Sequence, residues 1–124
     1  MRYVDSKIEH TLSQGSTLTM GAFIKVLLNT DDRFNKTGPG IRSAAKIEKS
    51  VVRSEEDKQL FIALEDADHE LLAQAAESPS AGYPVSPARF CLPFVEAIKD
   101  ALKELPKSAA KEPEAKAKME EQPS

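Results

Sequence analysis

The chain has 124 residues, a mass of 13.6 kDa and a formal net charge of −3, with 40% hydrophobic and 30% charged residues. This supports one domain with a modest core, and a lone cysteine excludes an internal disulfide and any multi-cysteine metal site. No apolar run approaches the roughly 18 residues that cross a bilayer, and the opening MRYVDSKIEH lacks the basic start and apolar stretch of a secretory signal. A cytoplasmic protein without a membrane span is the expectation.

In chain order, Ile8, His10 and Leu12 alternate with Glu9 and Thr11, a short strand pattern, and residues 13–16 read as a loop. The first helix is expected over about Thr19 to Asn29. Met20, Phe23, Ile24, Leu27 and Leu28 share one face, and Thr17 or Thr19 serves as its cap. The loop Asp31 to Gly40 ends in the breaker Gly38-Pro39-Gly40. A second helix is expected from Ile41 to Val52, with Ile41, Ala44, Ala45, Glu48, Val51 and Val52 on one face. Ala44 and Ala45 would let another helix approach closely.

Gln59 to Leu64 reads as a strand with apolar residues on both faces. Such a strand needs a partner. The segment around Ile8–Leu12 is one choice and a second copy of the chain the other. A third helix follows to about Glu77, capped by Asp66 or Asp68, with Leu71, Leu72, Ala75 and Ala76 as its stripe. Residues 78–87 form a rigid loop carrying Pro79, Gly82, Pro84 and Pro87. A fourth helix runs to about Leu105, burying Phe94, Ile98, Ala101, Leu102 and Leu105. Pro93 either lies in its first turn, after a separate turn, or kinks it. From Pro106 to Ser124 the only large apolar residue is Met119, so a disordered tail is expected. The fold class is therefore a small, mostly helical α+β domain over residues 1–105, with about four helices, one or two short strands and a tail over 106–124.

Little here is built for catalysis. Asp66, His69 and Glu70 have the i, i+3, i+4 spacing of ligands, but acids at a helix start serve as caps and dipole partners. Cys91 stands between Phe90 and Leu92, an apolar setting that suppresses thiolate formation. Gly38-Pro39-Gly40, near Arg33, Lys36 and Arg42, is a glycine turn at a helix start without the lysine spacing of a phosphate loop. We expect no enzyme, no metal and no cofactor; an anion-binding enzyme fragment is the distant third class.

The sharpest charge feature lies between residues 33 and 53. Arg42, Lys46, Lys49 and Arg53 fall at i, i+4, i+7 and i+11, with Arg33 and Lys36 upstream and Glu48 as the only acid from Gly38 to Arg53. This stripe is a candidate partner surface, for an acidic protein face or for nucleic acid. Against nucleic acid stand the acidic isoelectric point of 5.4 and about ten residues between the first two helices, longer than a DNA-reading turn. Phe34 and Tyr83, set among Gly and Pro, are candidate contact aromatics, or fold back onto the core.

The segments FIKVLLNTDDRFNKTGPGIRSAAKIEKS, LEDADHELLAQAAESP and GYPVSPARFCLPFVEAIKDA, spanning about residues 18–102, are similar in texture to small accessory proteins of compact bacteriophage genomes. The resemblance implies a non-enzymatic assembly or host-interaction role, in the host cytoplasm or the virion. The expectation is a self-associating protein–protein interaction or assembly factor, with a nucleic-acid-binding or regulatory protein using the basic stripe as the alternative.

Overall fold

Thr19 opens the first helix: its backbone is extended and its side-chain oxygen accepts from Ala22 N at 3.1 Å. Helix α1 (Met20–Thr30) then buries Met20, Phe23, Ile24, Leu27 and Leu28, all five positions of the expected stripe, and forms the centre of the core. The structure is a computed structural model that describes residues 1–11, 15–84 and 88–105. The expected loops at 13–16 and 78–87 lie partly outside the described residues, and the expected tail over 106–124 lies wholly outside them.

Helix α2 (Gly38–Glu56) is longer at both ends than the sequence suggests. Thr37 caps it, accepting from Gly40 N at 3.1 Å, and Pro39 sits in the first turn, where a missing N–H costs nothing. Gly38-Pro39-Gly40 therefore begins the helix instead of preceding it. Gly40 is buried because the Arg33 carbonyl occupies the space that a Cβ would need. The core side of α2 is Gly40, Ile47, Val51 and Ser54, with Ala44 half-buried. The expected face is thus corrected: Ile41, Ala45 and Glu48 are exposed. At the other end Lys58 adopts φ 53°, Gln59 N–H reaches Ser54 O at 2.9 Å and Lys58 N–H reaches Glu55 O at 3.3 Å. This is the left-handed closure that satisfies last-turn carbonyls.

Strand β4 (Phe61–Leu64) pairs antiparallel with β1 (Arg2–Asp5), Val4 opposite Ile62 and Tyr3 opposite Ala63. The expected partner, Ile8–Leu12, is overturned. Its residues contribute β2 (Glu9–Thr11), which pairs with β3 (Thr17–Thr19), His10 opposite Leu18. In this register Tyr3 and Phe61 turn their backbone groups away from the β1–β4 ladder. Tyr3 bonds to Leu102 on one side, and on the other Ser54 Oγ of α2 donates to Phe61 O at 3.3 Å. A helix thus flanks the outer edge of β4. The need of β4 for a second copy of the chain, one ground for the expectation of self-association, is removed.

Helix α3 (Asp66–Glu77) starts at Glu65 without a side-chain cap; Asp66 and Asp68 lie in its first turn, where the helix dipole favours acids, but neither caps it. Helix α4 (Leu92–Lys99) has Pro93 in its first turn after a separate 3-10 turn, Ala88–Cys91. It stops well before Leu105. The chain leaves it so that Leu102 can bridge to Tyr3, and Leu102 and Leu105 end up exposed, not in the core as expected. Helix α4 reaches α1 through Phe94, stacked on Phe23 at 5.1 Å between ring centroids. The fold is α+β, four helices with two small two-stranded antiparallel sheets among the described residues.

Candidate interaction surface

With its core side fixed by Gly40, Ile47, Val51 and Ser54, the 3.6-residue period turns Arg42, Lys49 and Arg53 to solvent, and all three are exposed. Among the described residues none of them forms an ion pair. Lys46 differs. It leans toward α3, with Nζ 2.7 Å from Glu65 Oε1 and 3.3 Å from Asp68 Oδ2. The hydrogen bond to Glu65, reinforced by Asp68, holds its ammonium above the usual lysine range. Lys46 therefore joins two helices, and the continuous stripe read from sequence becomes a line of three cations without an ion pair among the described residues.

Arg33 is also withdrawn. Its Nη1 lies 3.1 Å from Oδ2 of the fully buried Asp31 and donates to Ser78 O at 3.1 Å. Asp31 Oδ2 further accepts from Ser80 N at 2.9 Å, so this cluster ties the turn after α1 to the loop after α3. Lys36 is exposed in the approach to α2.

The two loop aromatics fold back. Phe34 is 1% exposed and packs in the core, the second of its two readings, and so offers no exposed contact surface as the partner-binding candidate of the first. Tyr83 is half-buried against the core, and its hydroxyl donates to Ala76 O at 2.6 Å and Glu77 O at 3.1 Å, closing the last turn of α3. Burial, helped by nearby Glu77, pushes its phenol above the ordinary range.

What the sequence reading missed lies beside the cations. Ile41 (54% exposed), Ala45 (exposed) and Val52 (half-buried) line up along α2 next to Arg42 and Lys49. The signal was present, since these residues belong to the face expected to receive a helix. Within the described chain that role falls to the neighbouring side of α2.

The remaining chemical candidates do not converge. Among the described residues no three His, Cys, Asp or Glu side chains are placed to hold a metal ion. Asp66 Oδ1 is 2.7 Å from the Met1 amino group, whereas His69 is buried and its Nε2 meets Ile98 O at 2.7 Å. A carbonyl only accepts, so that nitrogen carries the proton. Cys91 is fully buried. No helix among the described residues is long and apolar enough to cross a membrane. The chain matches no protein-family model, and no curated protein or solved structure is significantly similar to it.

Proposed function

We propose that this protein is a non-catalytic protein–protein interaction or assembly factor whose contact surface is the outward face of α2. One observation carries the reading: the longest helix among the described residues exposes Arg42, Lys49 and Arg53 without a described counter-ion, directly beside exposed Ile41. Cations and aliphatics in one strip suit a protein partner that is both acidic and apolar. Nucleic acid is served less well. A phosphate backbone, charged along its whole length, would meet exposed Glu48 and Glu56 of α2 and Asp57 after it, whereas a protein partner can set its carboxylates opposite the cations alone, and Ile41 has no use against phosphates. A non-catalytic role is also what the resemblance to small bacteriophage accessory proteins implies.

The test is quantitative affinity capture from the native host with the wild-type chain and with the reversal R42E/K49E/R53E. Proteins recovered by the wild type and lost by the reversal are the expected result. Identical sets from both would remove α2 from the reading.

A further inference from the structure

The geometry points to the kind of partner, an inference that rests on the reading above: we propose that α2 receives an acidic amphipathic helix of another protein, seated along Ile41, Ala45 and Val52 with its carboxylates against Arg42 and Lys49. Ile41, Ala45, Glu48 and Val52 follow a four-three-four spacing, the seam of two helices packed side by side. Ala45, in the middle of that seam, permits close approach of a second backbone. Arg42 and Lys49 are one heptad apart and flank the seam on the same side, the position from which paired helices choose partners by charge. From Ile41 to Val52 the seam covers about 17 Å at the helical rise, so the partner helix needs three to four turns.

Other occupants fit less well. A second copy of this chain packed antiparallel along this seam would set the line of Arg42 and Lys49 against itself, like charge on like. A long apolar bundle is opposed by Glu48, which is exposed within the seam and limits the contact to one register. Both flanks of α2 are already used: Glu55 on one bonds Lys25 of α1 at 2.8 Å, and Lys46 on the other is held by α3. The free strip is therefore one helix wide.

The probe is a display library of helical peptides about four turns long, selected on the full chain. The expected winners carry an aliphatic stripe flanked on one side by Asp or Glu. Their affinity, read by fluorescence anisotropy, should fall about tenfold on R42E/K49E/R53E, the scale of a few partly screened ion pairs turned repulsive. Lys-for-Glu versions of the winners should regain affinity for that reversal. Ile41→Ser should weaken the same peptides while leaving the circular dichroism spectrum unchanged. Winners without acids, winners indifferent to these variants, or no winners at all would overturn the proposal. So would tight, salt-sensitive binding of a labelled DNA duplex that the reversal abolishes. If the library fails while host capture still depends on Arg42, Lys49 and Arg53, the helical partner falls and the interaction surface stands.

Discussion

Tyr3 and Leu102 exchange both of their backbone hydrogen bonds, Tyr3 N–H to Leu102 O at 2.8 Å and Leu102 N–H to Tyr3 O at 3.0 Å. Arg2 Nη1 adds a bond to Ala101 O at 2.9 Å, and Ala101 is buried. The folded unit therefore includes residues 101 and 102, beyond the end of α4. Truncation after Leu105 should leave the melting temperature within a few degrees, because Met119 is the only large apolar residue removed. Truncation after Asp100 removes two strand-type bonds and a buried alanine, a loss of about 2 kcal/mol, or roughly 10 °C for a domain this size. Thermal denaturation of the two truncations separates these outcomes. A large drop from the first would mean that residues 106–124 pack on the domain.

Lys58 follows α2 with φ 53°, a conformation that a side chain disfavours and glycine adopts freely. Its N–H and that of Gln59 close the helix, so the conformation is required there. Lys58→Gly should therefore stabilise the protein by about 0.5–1 kcal/mol, read as a higher denaturant midpoint at unchanged slope. An unchanged or lower midpoint would show that the Lys58 side chain contributes more than its backbone strain costs.

Tyr83 holds the end of α3 through Ala76 O and Glu77 O. Tyr83→Phe should cost about 1 kcal/mol, the usual net worth of such bonds. The phenol is raised above its ordinary range, first by burial and then by Glu77. Its contribution is thus fully present below the unfolded-state pKa of about 10 and fades as pH climbs through the higher folded value. In a phenolate absorbance titration, Tyr83→Phe should remove the component that ionises above the usual phenol range. A curve that keeps that component would place the raised phenol elsewhere.

How far the sequence shows these arrangements depends on what each contact leaves in the pattern. Helix α1 is legible because large aliphatics mark every buried position. The core side of α2 is not, because Gly40 and Ser54 are buried through close approach and a hydrogen bond, which hydropathy does not register. Strand β1 has one fully buried residue, Val4, and so leaves almost no pattern. The exposure of Arg42, Lys49 and Arg53 follows from helical period alone, whereas Lys46 is diverted by Glu65 and Asp68, carboxylates of a later segment.

Phe34 illustrates the limit for loops. An aromatic among polar residues reads equally as an anchor for a partner or as a plug for the core, and the structure places it in the core at 1% exposure. Phe34→Ala should therefore destabilise by about 3–5 kcal/mol, a large share of the stability of a domain this size. Denaturant unfolding measures it. A near-neutral effect on stability, with partner binding lost, would restore the anchor reading.

The two kinds of basic residue on α2 should separate on reversal. R42E/K49E/R53E should leave the melting temperature nearly unchanged. All three side chains are exposed, and near the two ends of the helix the dipole penalty of Arg53→Glu is offset by the gain of Arg42→Glu. Lys46→Glu should lower it clearly, because it adds a third carboxylate beside Glu65 and leaves Asp68, only 4% exposed, without its counter-charge. In the wild type the Lys46 ammonium is held above the usual range, so its contribution is fully present below about pH 10 and is lost as pH rises through the higher folded value. Melting curves of Lys46→Glu and of the triple reversal, compared across pH, test this division. Equal losses would mean that Lys46 is one more cation of the exposed stripe and not the link between α2 and α3.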